Sequence, residues 1–183
     1  MYANLRDMES IYAEFPFGNC EFKFYNVPQM RASKTPAVQL RPGRDEDVPK
    51  LCEFAEELLH KWDARTTARD AQRVYERVLQ SPELGVILVA ENEANICGFA
   101  YACHEWRSEY GGETMDLVEL FVEHSWRNRG VGRTLLEGLI EHARSRGIRR
   151  FTSQVHPGNA AIERALETCG FDPERRTLWA LHL

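Results

Sequence analysis

The sequence lacks the features that mark several large classes of protein. No apolar run approaches the ~20 residues of a membrane-spanning helix, and the first ten residues show no basic segment followed by an apolar one. No glycine- and serine-rich linker or internal repeat divides the 183 residues, a length that suits one well-buried domain. These absences argue against a membrane or exported protein and predict a cytoplasmic globular one.

Metal-binding and disulfide patterns are also absent. Five cysteines are scattered without a Cys-x-x-Cys pair, and six histidines occur without a His-Glu-x-x-His pattern. An odd, scattered set of cysteines is typical of reduced thiols, and the net charge of −5 argues against a general nucleic-acid-binding protein. We therefore expect no metal site and neither a nucleic-acid nor a membrane partner.

The most informative stretch is a buried strand followed by a basic glycine turn and a long amphipathic helix. The strand is predicted at Leu117–Val122, where five apolar residues are interrupted by Glu119. The turn is Arg127–Gly132, with the sequence RNRGVG. Apolar residues at helical spacing from Val131 to Ala143 predict the helix, and Gly147 after two arginines predicts its end.

The turn has the composition of an anion-binding site. The first N–H groups of a helix have no intrahelical partner, and the helix dipole places partial positive charge there. Gly130 and Gly132 would let a phosphate group approach the backbone, while Arg127, Arg129 and Arg133 add positive charge. A tight turn with solvated arginines is the alternative, because Gly-x-Gly alone is a weak signal and fits neither a P-loop nor the dinucleotide fingerprint.

Two motifs together resemble the GNAT superfamily of N-acetyltransferases. The turn Arg127–Gly132 resembles the acetyl-CoA-binding motif of that family, Arg/Gln-x-x-Gly-x-Gly/Ala. The segment Asn159–Phe171 resembles its second motif, an asparagine followed by a short helix and a Gly-Phe pair. The two motifs occur in the order and at the separation of the family, and the resemblance covers roughly Val38–Leu183.

The resemblance implies a mixed α+β fold of the GNAT type, with a mostly antiparallel sheet of about 6–7 strands flanked by about four helices. The acetyltransferase domain is expected at residues 37–183, after an N-terminal extension at residues 1–36. The predicted strands are Ala37–Arg41, Gly85–Ala90, Ile96–Cys103, Leu117–Val122, Arg150–Val155 and Thr177–Leu183. The predicted helices run from Asp45, as a candidate N-cap, to about Trp62, from Thr67 to Gln80, from Val131 to Gly147, and after Asn159.

Within the extension, Cys20–Val27 begins with alternating polar and apolar residues. This pattern predicts an ordered strand that packs on the domain or forms a homodimer contact. A disordered leader is the alternative.

The resemblance also implies how acetyl-CoA would bind as the cosubstrate. The backbone of Leu120, Phe121 and Val122 would hold the acetyl and pantetheine amide groups. The pyrophosphate would lie against Arg127, Asn128, Arg129, Gly130, Val131, Gly132 and Arg133. Asn159 would reach the pantetheine arm, or cap the following helix, or do both.

Acetyl transfer to an amine requires a neutral nitrogen, and therefore a proton acceptor. Glu119 is the first candidate because it is a carboxylate in an apolar strand, at a position that relatives often fill with an acid, and burial would raise its pKa. An exposed strand face or a salt bridge is the alternative, and Asp116 is the second candidate. Leu166 stands where the family often has a tyrosine that protonates the thiolate, so the general acid would be Cys169, water or no group at all.

Aromatic residues in predicted loops are candidates for binding the acceptor, a primary amine on a small molecule or a protein. Trp62 lies between the first two predicted helices, and Trp106 and Tyr110 lie in the loop predicted at His104–Gly112. Packing at the core edge is the alternative for Trp62, and ordinary loop packing for the other two. A non-catalytic acyl-CoA sensor and a phosphate-binding regulatory domain are the alternative functions.

Overall fold

A five-stranded sheet with helices on both faces forms the framework of the protein. The structure, a computed structural model, describes residues 38–61, 66–174 and 176–181. The strands are β1 (Gln39–Pro42), β2 (Gly85–Asn92), β3 (Asn95–Arg107), β4 (Gly112–Val122) and β5 (Arg150–Ser153). The helices are α1 (Val48–Lys61), α2 (Ala68–Gln80), α3 (Val131–Arg146) and α4 (Ala160–Thr168). Trp62 and the extension with its predicted strand at Cys20–Val27 lie outside the described residues.

The strands lie in chain order, and every neighbouring pair is antiparallel except β4 and β5, which are parallel. The strands predicted at Gly85–Ala90 and Ile96–Cys103 correspond to β2 and β3, which form an antiparallel hairpin. Glu93 and Ala94 at its tip have φ values of 48° and 65°. Two left-handed residues match the right-handed twist of the flanking strands, so this tight turn closes without splaying them.

Both faces of the sheet are covered, which explains the long apolar runs in its central strands. Along β2, Val86, Leu88 and Ala90 pack in the core beneath α3 and α4. The alternating residues Ile87 and Val89 pack on the opposite face, against α1 and α2. Because paired residues of neighbouring strands point to the same face, this alternation also determines which helices pack on each side chain of those strands.

The predicted limits of α3 are confirmed. The helix follows Gly130 and ends before Gly147, whose φ of 73° is a left-handed helix cap. Arg144 and Arg146 occupy the last turn, where a positive charge is favourable at the helix C-terminus.

The predicted start of the first helix at Asp45 is wrong. Residues Asp45–Asp47 form a 3₁₀ turn, and α1 begins at Val48. Asp47, rather than Asp45, accepts a hydrogen bond from the backbone N–H of Arg44, at 2.8 Å. Asp47 therefore caps the turn, because its carboxylate lies three residues after Arg44 and reaches back to the free N–H group of that residue.

The loop predicted at His104–Gly112 is mostly strand. β3 continues to Arg107, which pairs with Gly112 at the start of β4, and only a 3₁₀ turn at Ser108–Tyr110 connects the strands. Gly111, with a φ of 66°, completes the connection. Charged and aromatic residues suggested a loop, but the backbone pairing extends the hairpin regardless of the polar side chains.

The final strand predicted at Thr177–Leu183 is not formed within the described residues 176–181, so the described sheet has five strands rather than about six or seven. Ion pairs tie the preceding chain to β5 and to the turn between β3 and β4: Glu174 contacts Arg150 at 2.5 Å, and Arg176 contacts Glu109 at 3.5 Å. The apolar residues that suggested a strand, Leu178, Trp179 and Leu181, are exposed.

Candidate active site

The two parallel strands separate partway along their length. Pairing of β4 with β5 runs from Thr114 opposite Arg150 to Leu117 opposite Ser153 and stops there. β4 continues to Val122 beside β3 alone. Among the described residues no strand covers the other edge of Val118–Val122, and we call this opening the fork. Backbone groups at such an edge are available to an extended ligand.

A bulge at the base of the fork controls where the side chains of β4 point. Tyr101 of β3 pairs with Glu119, but the next residue, Ala102, pairs with Leu117, so Val118 is an extra residue in β4. In a regular strand, residues three positions apart face opposite sides. The extra residue resets the alternation and brings Asp116 and Glu119 to the same face, beneath α1 and α2.

The glycine turn beside the fork leaves backbone donors unpaired at the start of α3. Asn128 and Gly130 both have left-handed backbone, with φ values of 59° and 84°. The N–H of Thr134 donates the first hydrogen bond of the helix, to the carbonyl of Gly130 at 2.9 Å, and no side chain caps the helix. The preceding N–H groups, together with the helix dipole, are suited to an anion.

The turn touches the fork directly. A Cβ atom on Gly132 would lie 3.6 Å from Cγ2 of Val122 and 3.9 Å from Cδ2 of Leu120, which are ordinary contact distances. The side chains of Val131 and Phe121 are buried in the two opposite cores. Val131 and Phe121 can therefore contact a ligand mainly through their backbone N–H and C=O groups.

The three arginines of the turn have different partners. Arg127 donates to the carbonyl of Val122 at 2.7 Å and to Glu57 of α1 at 2.8 Å. Arg129 lies over the ring of Trp126, and Arg133 pairs with Glu137 one helical turn away. Arg127 thus braces the end of β4. Arg129 and Arg133 remain exposed beside the turn.

Glu119 is neither on an exposed face nor in a salt bridge with a described residue. It is half-buried, and the hydroxyl of Tyr75 on α2 donates a hydrogen bond to its Oε2 at 2.5 Å. Burial raises the pKa of Glu119, and the hydrogen bond from Tyr75 opposes part of that rise. A carboxylate in this state can change protonation closer to neutral pH than an exposed one.

Asp116 stands at the base of the fork. It pairs with Thr152 in the penultimate register position of β5, and the Thr152 hydroxyl donates a hydrogen bond to Oδ1 of Asp116 at 2.7 Å. Burial raises the pKa of this carboxyl also. The structure therefore places both predicted carboxylates on one face, three residues apart and each hydrogen-bonded to a hydroxyl group.

The second motif begins α4 as predicted, although its asparagine does not cap the helix with its side chain. The backbone carbonyl of Asn159 accepts from Ile162 and Glu163, whereas its half-buried side chain makes no capping hydrogen bond. Leu166, where the family often has tyrosine, is buried in the core beneath α3. Cys169 is half-buried in the same cluster, and burial raises the pKa of its thiol.

Two of the predicted acceptor-binding aromatics, Trp106 and Tyr110, lie within the described residues, and their surroundings differ. Trp106 near the end of β3 is 81% exposed. Tyr110 packs beneath the guanidinium of Arg150 at 4.6 Å, and its hydroxyl accepts from Arg176 at 2.6 Å. Tyr110 is thus held by two arginines and Trp106 is accessible to another molecule, and a role of either in acceptor binding stays a prediction.

Sequence reasoning missed three partners of the site: Tyr75, Thr152 and Glu57. One signal was available for Tyr75. It interrupts the apolar stripe of α2 between Ala71 and Val78, and a buried tyrosine usually needs a hydrogen-bond partner. For Thr152 and Glu57, nothing in the local sequence indicates contacts with residues 36 and 70 positions away.

Within the parts of the chain that the structure describes, no three His, Cys, Asp or Glu residues form a group that could hold a metal ion. No helix there has the length and apolar character to cross a membrane.

The open strand edge of the fork and the uncapped helix start are suited to an extended ligand that carries an anionic group. The model of the acetyltransferase (GNAT) family matches residues 51–171, and the chain belongs to this family. The predicted fold class is thereby confirmed. No curated protein sequence matches the chain.

Solved structures share the fold at low identity. An integron cassette protein from the mobile metagenome of Cole Harbour Salt Marsh is 22% identical, with a TM-score of 0.70 over 79% of this chain and 90% of that one. A predicted acetyltransferase with acetyl-CoA from Clostridium acetobutylicum is 16% identical, with a TM-score of 0.68 over 79% and 96%. The aminoglycoside N-acetyltransferase AAC(6')-Iy with a bisubstrate analogue is 20% identical, with a TM-score of 0.67 over 80% and 99%.

Proposed function

We propose that the protein transfers the acetyl group of acetyl-CoA to a primary amine, on a small molecule or on a protein. The observation that carries the proposal is the fork, with an uncapped helix start on one side and two protonatable carboxylates on the face beneath α1 and α2. Bound acetyl-CoA would supply the thioester that the amine attacks.

The residues of the fork and turn fit the cosubstrate. The open edge of Leu120–Val122 offers backbone hydrogen bonds to the amide groups of a pantetheine arm. The N–H groups at the start of α3 would bind the pyrophosphate, with Arg129 and Arg133 adding positive charge nearby. Asn159 supports this assignment because its side chain is not used to cap α4.

The carboxylates supply what the acceptor needs. An alkylamine has a reference pKa of about 10.4 and is almost wholly protonated at neutral pH, so attack requires the loss of a proton. Glu119, with a raised pKa and a hydrogen bond to only one of its oxygens from a described residue, is the proposed proton acceptor. Asp116, at the base of the fork, is the second candidate.

The leaving thiolate has no acid at the position where the family often has tyrosine, because Leu166 is buried in the core. Water is the proposed proton source. The same observation favours a second candidate function, a module that binds acyl-CoA without rapid turnover.

An acceptor screen with acetyl-CoA, read by release of free CoA thiol, tests the proposal. Alkylamines, polyamines, aminoglycosides, amino acids and lysine peptides form the panel, and the aminoglycosides are included because a structural neighbour is an aminoglycoside N-acetyltransferase. We expect amine-dependent thiol release with at least one acceptor. Tight binding of acetyl-CoA in calorimetry, without turnover on any amine, would instead support the acyl-CoA-binding module.

A further inference from the structure

Tyr75 is a buried residue whose hydroxyl group is directed at the proposed proton acceptor. Its side chain is 1% exposed and lies on α2. Its ring meets Phe99 edge to face at 5.8 Å and Tyr101 at 6.2 Å. A ring packed in this way has little rotational freedom, so the position of its hydroxyl group is fixed by the core.

The hydrogen bond from Tyr75 makes the two carboxylate oxygens of Glu119 different, because only one of them is held by a described residue. Oε2 accepts the tyrosine hydroxyl at 2.5 Å. Oε1 makes no hydrogen bond with any residue in the described ranges and keeps its lone pairs available. An anchored carboxylate with one free oxygen is the arrangement that a general base requires, because the free oxygen is held where the proton must be taken.

We propose that Tyr75 is a positioning residue that holds the Glu119 carboxylate and favours its ionised form, so that Oε1 can take a proton from the acceptor amine. The proposal rests on the proposed function of Glu119 as general base. Tyr75 does not touch the acceptor in this scheme; it acts through Glu119.

Asp116 lies on the same face of β4, toward the base of the fork, and the titratable groups that face Glu119 from other elements are uncharged near neutral pH. They are Cys52 on α1 and Tyr101 on β3, and burial raises the pKa of both. Tyr101 lies directly opposite Glu119 in the sheet but does not donate a hydrogen bond to it. Tyr75 is therefore the only described neighbour that stabilises the ionised carboxylate against the cost of burial.

The test compares Tyr75→Phe with the matched control Tyr101→Phe. Tyr75→Phe keeps the ring and removes the donor, so the pKa of Glu119 should rise. The acid limb of the kcat/KM profile for the amine should then move upward by about 1 pH unit or more, since a hydrogen bond to a charged group is typically stronger than one between neutral groups. The rate at high pH should recover, and the KM for acetyl-CoA should stay unchanged. Tyr101→Phe should leave the acid limb in place.

A second readout does not depend on activity. Infrared titration of the purified protein follows the protonated carboxyl band that is lost in Glu119→Gln. Tyr75→Phe should raise the midpoint of this band by the same amount as the kinetic limb, in a protein whose circular dichroism is unchanged.

An unmoved infrared midpoint would overturn the role of Tyr75, whatever the enzyme's activity. A midpoint that moves while the kinetic limb does not would overturn the proposal through its premise, because catalysis would then not use Glu119. A wild-type protein with no turnover on any amine would contradict the proposed function separately.

Discussion

At the scale of single residues, the two carboxylates of β4, Glu119 and Asp116, have the same functional group but different surroundings. Glu119 is enclosed by α1, α2 and the tyrosine of the latter, whereas Asp116 lies at the last pairs of β4 and β5. Burial raises the pKa of both. Their separate contributions can be measured because each has an amide analogue of the same shape.

We expect Glu119→Gln to lower kcat/KM for the amine at least tenfold at neutral pH, since a well-placed general base contributes about 10²–10⁴-fold. The deficit should shrink as pH rises, because the free amine becomes abundant as its own pKa of about 10.4 is approached. Affinity for acetyl-CoA, measured by calorimetry, should stay nearly constant because the charge removed lies on the face beneath α1 and α2.

Asp116→Asn is the matched comparison. Its amide oxygen can still accept the Thr152 hydroxyl, so the strand pairing should be preserved. Wild-type turnover in Glu119→Gln across the pH range, with a large loss in Asp116→Asn, would transfer the role of base to Asp116. Wild-type turnover in both variants would leave water as the proton acceptor.

At the glycine turn, the effect of an added negative charge on CoA binding can be separated from the effect of added bulk. Gly130 has a φ of 84°, and an added Cβ there would meet no atom within 4 Å. Asparagine and aspartate both tolerate this left-handed backbone better than most residues and have the same shape. Gly130→Asp should weaken CoA binding roughly tenfold or more relative to Gly130→Asn, because like charges at about 4 Å repel by about 1–4 kcal/mol depending on the dielectric.

Isothermal titration with CoA at low and high salt checks this expectation. The difference between the two variants should narrow as salt screens the added charge. Equal affinity in two folded variants would contradict the placement of the pyrophosphate at the turn. Gly132→Ala changes the same turn without adding charge, and the structure leaves room for its methyl group against Val122 and Leu120.

At the scale of secondary-structure elements, local patterns were enough for some features and not for others. The apolar spacing of α3 and the glycine after its two terminal arginines determined both ends of that helix. The Thr67 start of α2 was equally local, since its hydroxyl accepts from the N–H of Asp70. These signals lie within one turn of the feature they control.

The features that escaped prediction depend on residues distant in sequence. The bulge at Val118 is a register relation between β4 and β3, and it alone places Asp116 and Glu119 on one face. The predicted strand at Thr177–Leu183 had the right composition, but a strand also needs a partner strand, and residues 177–181, the part of it that the structure describes, pair with none. The composition of a segment determines neither the register of two strands nor whether a partner strand is available.

The start of α1 gives a prediction at this scale. Asp47 is 4% exposed and binds Arg41 of β1 through both oxygens, at 2.6 and 2.8 Å, while Arg41 also contacts Glu91 of β2. Burial alone would raise the pKa of Asp47, but the hydrogen bonds from Arg41 and Arg44 hold it below its usual range. The pair therefore joins α1 to two strands.

Asp47→Asn should lower the free energy of unfolding by about 2–4 kcal/mol at pH 7, somewhat less than the loss of a fully buried partner because Arg41 keeps Glu91. A carboxyl with a depressed pKa stabilises the fold above its unfolded pKa of about 3.9, and this contribution is lost as pH falls through the folded value. The deficit should therefore disappear in acid. Urea unfolding of Asp47→Asn beside the exposed control Asp45→Asn measures it, and equal stability of the two would refute the expectation.

At the scale of the whole molecule, a pair of half-buried histidines lies at the end of α3 remote from the glycine turn. His104 of β3 and His142 of α3 stack with ring centres 5.4 Å apart, and their Nε2 atoms are 3.3 Å apart. One ring must donate to the other, so protonation of both would set two N–H groups against each other. Glu113 and Arg146 form an ion pair at 2.9 Å beside them.

This pair predicts how the stability of the protein depends on pH. Burial lowers the pKa of both histidines, that of His142 to about 4. A lowered pKa means that the unfolded chain binds protons first, so the stabilisation is complete above the unfolded value of about 6.5 and is lost as pH falls toward 4. His142 alone should account for a loss of about 2–3 kcal/mol across that window.

His142→Phe preserves a flat ring against His104 and removes the titrating group. We expect it to cost about 1 kcal/mol at pH 7, where the Nε2 hydrogen bond is lost, and to flatten the decline in stability between pH 6.5 and 4. The exposed control His60→Gln should retain the wild-type slope. Urea unfolding at half-unit steps from pH 7 to pH 4 measures this slope, and the His60→Gln control carries the same carboxylates, which begin to titrate near the acid end of the range. If His142→Phe and the wild type lost stability in parallel, the acid sensitivity would have to arise from groups other than His142, because the variant no longer takes up a proton at that position on unfolding.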